Sequence, residues 1–190
     1  MKVGTRSVLF GTHCFFIHPF FVAYAWWKLY GLPWDPRLWV AFFVHDLGYL
    51  GKPNMDGPEG DEHPYFGARI MGCLFGVEWY DMCLFHSRFL AKKAGKQYSK
   101  LCVADKLAVA LEPWWFYLPR VILSGEVHEY LSLAGGKNDS KYKGEPNDKY
   151  VHMQLATGTK RGWFKACAHY LDQWAYEHRN IKDDTWTQVA

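Results

Sequence analysis

The chain has 190 residues, enough for one hydrophobic core, and no shift in composition along it argues for a second domain. We therefore expect a single domain over residues 1–190. A hydrophobic fraction of 49% beside 22% charged residues excludes wholesale disorder, and a net charge of +3 is too small for a nucleic-acid-binding surface. A small anionic ligand remains compatible with this charge.

Aromatic residues are unusually frequent, with ten Trp, twelve Tyr and thirteen Phe. Most are expected to fill the core, and the surplus is available to line a pocket or the contact of a homodimer. The five cysteines form no C-x-x-C pair, which is typical of thiols in a reducing compartment and predicts a cytoplasmic protein. His13, His18 and Pro19 interrupt the apolar run from Val8 to Trp27, which argues against a membrane span or a signal peptide.

Helical periodicity dominates the chain, and no alternating strand pattern of comparable length accompanies it, so we predict an all-α fold. In chain order the predicted helices span residues 19–30, 37–50, 64–75, 77–94, 98–112, 115–123, 125–133 and 162–178. Proline follows histidine at His18-Pro19 and His63-Pro64. Because proline favours the first position of a helix, both histidines are expected at helix openings.

Two polar stretches are predicted to lie outside the helices. Residues 51–62, GKPNMDGPEGDE, have the Gly, Pro, Asn and Asp content of a loop. This loop falls between the His45-Asp46 pair and His63, so it is placed to border a site. Gly135 to Lys149 is expected to form a polar surface excursion before the C-terminal helix, since so much Lys, Asn, Asp and Gly is costly to bury.

One pattern of potential metal ligands, H…HD…H…H…D, is formed by His18, His45, Asp46, His63, His86 and Asp105. Four imidazoles and two carboxylates suit iron, manganese or zinc and are poorly matched to calcium. Two ions can share the set, with His18, His45 and Asp105 on one, His63 and His86 on the other, and Asp46 between them. His13 is an alternative to His18, whose spacing from His45 fits better.

These ligands lie in segments that resemble the HD superfamily of metal-dependent phosphohydrolases. The segments are HPFFVA at 18–23, FVHDLG at 43–48, HPYFGA at 63–68 and LCVADKLA at 101–108. From His63 through His86 to Asp105 the order and spacing are similar to those of bacterial diadenosine tetraphosphate hydrolases. HPYFGA also resembles the cyclic-di-GMP phosphodiesterase branch, but the further Gly-Tyr-Pro motif and paired histidines of that branch are missing, which argues against a cyclic dinucleotide substrate.

The resemblance, which covers roughly residues 15–115, implies an HD-domain helical bundle that hydrolyses a phosphate ester or anhydride in a nucleotide-like substrate. It implies two divalent transition metal ions, iron, manganese or zinc, with cobalt or nickel as substitutes in vitro, because such a pair acidifies water and clamps phosphoryl oxygens. Asp46 is expected to hold the metals together, and Arg88 and Lys52 to neutralise phosphate charge. Two other functions stay open, a di-iron oxygenase of the same superfamily and a nucleotide-binding module without turnover.

Overall fold

The computed structural model describes residues 1–134 and 159–181, and within these ranges every regular element is helical, which confirms the all-α prediction. Ten α-helices are described: α1 Val3–Phe10, α2 His18–Tyr30, α3 Pro36–Val44, α4 Pro64–Phe75, α5 Val77–Leu84, α6 Arg88–Lys93, α7 Lys100–Leu111, α8 Trp114–Ser124, α9 Glu126–Ala134 and α10 Lys160–His178. Two 3₁₀ turns, Leu47–Tyr49 and Gly60–Glu62, lie between α3 and α4. The polar stretch predicted from Gly135 to Lys149 lies outside the described residues.

Local sequence explains where several helices begin. Proline occupies the opening turn of α2, α3 and α4, so the expected helix openings at His18-Pro19 and His63-Pro64 are confirmed. The side chains of Ser87, Ser99 and Thr159 accept hydrogen bonds from the first backbone N–H groups of α6, α7 and α10. These caps satisfy donors that have no partner inside the helix.

Two of the predicted helices are shorter than expected. The helix predicted over 37–50 ends at Val44, because the His45 ring turns back onto the carbonyls of Ala41 and Phe42 and a 3₁₀ turn follows. The helix predicted over 77–94 is two helices, broken at residues 85–87 where Ser87 caps α6. Helix α1 was not predicted, since eight residues give too few turns for a clear periodic pattern.

Helix α7 forms the centre of the main core. Its apolar residues between Leu101 and Ala108 are fully buried, and the helix packs against α2 on one side and α10 on another. A smaller cluster joins α8, α9 and α10 through Val121, Val127 and Trp163. Among the described residues, no helix has the length and apolar character needed to cross a bilayer.

The burial of α7 predicts a large effect of truncating a side chain there. Leu107→Ala should lower the free energy of unfolding by about 2–5 kcal/mol, since Leu107 is fully buried and the cavity cannot fill completely. Leu123→Ala is the matched control, because that leucine is 69% exposed, and its effect should stay within about 0.5 kcal/mol. Urea denaturation of both variants measures the difference, and equal losses would contradict this description of the core.

Candidate metal centre

The six predicted ligands come from five separate places in the fold and converge on one point. They form two groups that share Asp46 and in which the potential ligand atoms lie within 4.8 Å of one another. Five of the six residues lie at or next to a helix end: His18 opens α2, His45 and Asp46 follow α3, His63 precedes α4, and His86 follows α5. The sixth, Asp105, lies within α7.

The first group comprises His18, His45, Asp46 and Asp105. Nε2 of His18 lies 2.9 Å from Oδ1 of Asp105 and 3.3 Å from Oδ2 of Asp46. Nε2 of His45 lies 3.0 Å from the same Oδ2 of Asp46 and 3.7 Å from Oδ1 of Asp105. Two imidazole nitrogens and two carboxylate oxygens therefore face a common centre, a donor set that suits a transition metal ion.

The second group comprises Asp46, His63 and His86. Nε2 of His63 and Nε2 of His86 are 3.0 Å apart, and each lies 3.5 Å from Oδ1 of Asp46. Thus Oδ2 of Asp46 faces the first group and Oδ1 faces the second. One carboxylate therefore belongs to both groups of potential ligands.

Backbone carbonyls fix the orientation of three of the four imidazoles. Nδ1 of His45 lies 3.0 Å from the carbonyl of Phe42, Nδ1 of His63 lies 2.7 Å from that of Gly60, and Nδ1 of His86 bonds to that of Cys83. A carbonyl oxygen only accepts, so Nδ1 carries the hydrogen in each ring. In the neutral ring this leaves the lone pair of Nε2 directed at the centre, the arrangement typical of metal-binding histidines.

Several atoms at the centre have no hydrogen-bond partner among the described residues. They are Nε2 of His45 and both carboxylate oxygens of Asp46, all buried. Their contacts with neighbouring ligands are close but lack hydrogen-bond geometry. Because buried polar groups are normally satisfied, these unsatisfied donors and acceptors fit a cation site, and the residues present can hold a metal ion.

The carboxylates and imidazoles at the centre shift one another's pKa values. Burial lowers the pKa of His18 and His45, but the adjacent carboxylates of Asp105 and Asp46 outweigh it and raise these pKa values to about 9 and about 10. Burial raises the pKa of Asp46, yet the charges of neighbouring histidines hold it well below its usual value. The protonated histidines stabilise the metal-free fold below pH 6.5, a contribution that is lost as pH rises through 9 to 10.

Two glycines allow the ligand-bearing segments to approach. A side chain at Gly48 would come within 1.9 Å of the backbone oxygen of His63, and one at Gly67 would come within 2.9 Å of the Cα of His45. Only glycine permits such contact between backbones. The turn after α3 is therefore drawn against the start of α4, which brings the His45-Asp46 pair close to His63.

The two cations predicted to contact phosphate lie beside other partners. Nζ of Lys52 is 3.3 Å from Oε2 of Glu62 in the same loop, and the guanidinium of Arg88 stacks 5.0 Å from the ring centre of Trp174. Their role at phosphate stays a prediction. His13, the alternative first ligand, lies outside the two groups, and its Nδ1 is 2.8 Å from Oγ of Ser7.

A buried polar network that the sequence did not indicate supports the segment before His18. Glu126, fully buried at the start of α9, accepts hydrogen bonds from the backbone N–H of Thr12 at 3.1 Å and from the hydroxyl of Tyr130 at 2.9 Å. Arg120 donates to the carbonyl of Gly11 at 2.6 Å and pairs with buried Glu112. Glu126 and Thr12, like Arg120 and Gly11, lie more than 100 positions apart, so no local pattern could reveal these two contacts.

Helix α9 also holds the loop at 51–62. The carboxylate of Glu129 accepts hydrogen bonds from the backbone N–H groups of Met55 and Asp56 at 2.8–3.1 Å, and the Met55 side chain is buried.

Tyr49 stacks on the ring of His63, with centroids 3.8 Å apart and planes within 14°. The position of His63 is therefore fixed by stacking as well as by its hydrogen bond.

A small cavity of about 10 Å³ reaches the first group of ligands, close to the size that accommodates one water molecule. Its wall includes His18, His45 and Asp46 on one side and the rings of Phe15 and Phe43 on another. None of the described residues that line it is Lys or Arg. Apart from the imidazole of His13, the lining of this opening is thus apolar up to the ligands themselves.

No protein-family model, curated protein or solved structure matches this chain. The resemblance to the HD superfamily accordingly stays a prediction that rests on the motif residues. The geometry of the two groups is a property of the chain itself and supports metal binding independently of that resemblance.

The raised pKa values of His18 and His45 predict proton release on metal binding. At pH 7 both rings are protonated in the metal-free protein, so loading with Mn²⁺ should release about two protons per chain. Calorimetry in buffers of different ionisation enthalpy measures this number, which should fall when the titration is repeated at pH 9. Binding at pH 7 without proton release would contradict these pKa shifts.

Metal should also stabilise the fold. At a Mn²⁺ concentration about 100 times the Kd, the gain of about 2.7 kcal/mol corresponds to a rise in Tm of about 5–10 °C. His45→Ala should abolish most of that rise, whereas His128→Ala should keep it, since His128 is exposed and lies outside both groups. Differential scanning fluorimetry compares the metal-induced rise within each variant, and equal rises in the two would exclude His45 as a ligand.

Proposed function

We propose that this chain is a metal-dependent phosphohydrolase of the HD type, which hydrolyses a phosphate ester or anhydride in a nucleotide-like substrate. The observation that carries the proposal is the position of Asp46, whose Oδ2 faces His18 and His45 while its Oδ1 faces His63 and His86. A carboxylate shared between two sets of imidazoles is suited to a pair of ions, of which iron, manganese or zinc match the nitrogen and oxygen donors.

When bound, such a pair of ions supplies an acidified water and neutralises the charge of the phosphoryl group. The protein contributes a fixed set of ligands. Backbone carbonyls orient the rings of His45, His63 and His86, so the ligands need little rearrangement when an ion binds. Pre-organisation of this kind lowers the reorganisation needed at the moment of reaction.

Access to the ligands also supports a catalytic rather than a purely structural site. The side chain of Asp105 retains 21% exposure, whereas those of His18, His45 and Asp46 retain 8% or less. A structural metal is normally enclosed by a complete set of protein ligands, whereas a catalytic metal keeps a position for water or substrate. The partial exposure of Asp105 thus fits a metal site that keeps a position for water or substrate.

The proposal predicts phosphate release that depends on both metal and ligands. The full chain is assayed with Mn²⁺, Fe²⁺, Co²⁺ and Ni²⁺ against nucleoside monophosphates and polyphosphates, dinucleoside polyphosphates and simple phosphate esters. The double variant His45→Ala, Asp46→Ala should lower kcat/KM by at least about a thousandfold, because the ions supply several kcal/mol of transition-state stabilisation. His169→Ala is the control, since His169 is exposed and outside both groups.

Two outcomes would overturn the proposal. Inactivity across the panel in a protein that carries its metal would leave a binding module without turnover. Oxygen consumption together with a mixed-valence iron signal in electron paramagnetic resonance would instead assign the site to di-iron oxygenase chemistry.

A further inference from the structure

A continuous row of aromatic rings runs from the metal-centre cavity to the surface. It consists of Phe15, Phe16, Phe20, Phe43 and Trp39, and we refer to it as the aromatic path. The ring centroids of Phe15 lie 5.3 Å from those of Phe16 and Phe43, and Phe20 lies 5.7 Å from Phe43 and 6.4 Å from Trp39. These spacings are those of edge-to-face packing, so the rings form one surface.

The inner end of this path lies at the proposed site. Phe15 and Phe43 line the same cavity as His18, His45 and Asp46. The outer end is open to solvent, with Phe16 72% exposed and Phe20 54% exposed. A molecule that reaches the ligands through this cavity must therefore lie against the aromatic path.

Exposure of Phe20 follows from the orientation of α2. This helix directs Val22 and Ala25 into the core against α7, so the opposite side carries Phe20 into solvent. Scattered exposed apolar residues are ordinary, but adjoining rings that continue into a cavity indicate a ligand or partner. Here the continuity with the candidate metal centre favours a ligand of that centre.

The charges near the cavity argue for a ligand with little negative charge beyond one phosphoryl group. No Lys or Arg is found among the described residues that line the cavity. Lys52, from the loop at 51–62, lies beside Glu62, and Arg88 lies over the ring of Trp174. On this side a polyphosphate would leave several charges against phenyl rings, which is unfavourable without cationic partners.

Building on the proposed hydrolase function, we propose that the substrate is a phosphate monoester whose alcohol carries an apolar or aromatic group, and that this group binds along the aromatic path. In the reaction the oxygen of water bonds to phosphorus and the P–O bond to the organic group breaks. The alcohol leaves with a proton, and the other product is inorganic phosphate.

Binding of alkylphosphonates tests this inference without turnover. Calorimetry on the Mn²⁺-loaded full chain compares methylphosphonate with hexylphosphonate, which carry the same anionic head. A fully buried methylene strengthens binding about fourfold, so five partly buried ones should give at least about a tenfold tighter Kd for hexylphosphonate. The paired substitution Phe16→Ser, Phe20→Ser should remove this preference and leave methylphosphonate binding unchanged.

Leu74→Ser is the matched control, because Leu74 is 60% exposed on α4 and is no part of the aromatic path. It should keep the preference for hexylphosphonate. Equal affinities for the two phosphonates in the unmodified protein would overturn the inference. So would sedimentation of a dimer that Phe16→Ser, Phe20→Ser converts to a monomer, because the path would then be a subunit contact.

Phosphate release separates this inference from the proposal on which it rests. Faster hydrolysis of hexyl phosphate than of methyl phosphate, at least tenfold in kcat/KM, is the expected result. Hydrolysis without any chain-length preference would overturn the substrate class and leave the hydrolase intact. Tighter binding of the longer alkylphosphonate with no hydrolysis of either ester would contradict the proposed hydrolase function, but it would still support the apolar subsite.

Discussion

The buried carboxylate of Asp46 is the constraint on which the rest of the site depends. An ionised carboxylate in the interior is strongly unfavourable unless positive charge surrounds it. In the metal-free protein that charge comes from protonated histidines. The carboxylate of Asp46 and the imidazoles of His18 and His45 stabilise one another's charged forms, so the pKa of Asp46 is low and the pKa values of the two histidines are raised. Metal ions can replace those protons at the same positions, so the arrangement suits exchange between protons and cations.

Backbone contacts around the site hold these charged side chains in position. Glycine at positions 48 and 67 lets two backbones meet where side chains would collide, and carbonyls at helix ends orient the imidazoles. Helix α9 supports both flanks, through Glu126 on the segment before α2 and through Glu129 on the loop at 51–62. Residues beyond Asp105 thus stabilise a site whose ligands lie between positions 18 and 105.

Much of the helical fold could be predicted from the sequence, because apolar periodicity and His-Pro openings are local signals. The helix at 64–75 has the predicted bounds, and several others agree within two residues. The break at residues 85–87 was missed, because helix-forming residues continue on both sides of Ser87, whose side chain caps α6. The six potential ligands could be predicted from their sequence pattern. The supporting roles of Glu126 and Tyr49 could not, because Glu126 contacts Thr12 from a distant part of the sequence and Tyr49 meets His63 only in the fold.

The most direct test of the two-ion arrangement is anomalous diffraction from crystals of the full chain grown with Mn²⁺. We expect two anomalous peaks about 3.5–4 Å apart. One should lie beside Oδ2 of Asp46 with His18, His45 and Asp105, and the other beside Oδ1 with His63 and His86. A single peak, or peaks at sites away from Asp46, would contradict the two-ion arrangement.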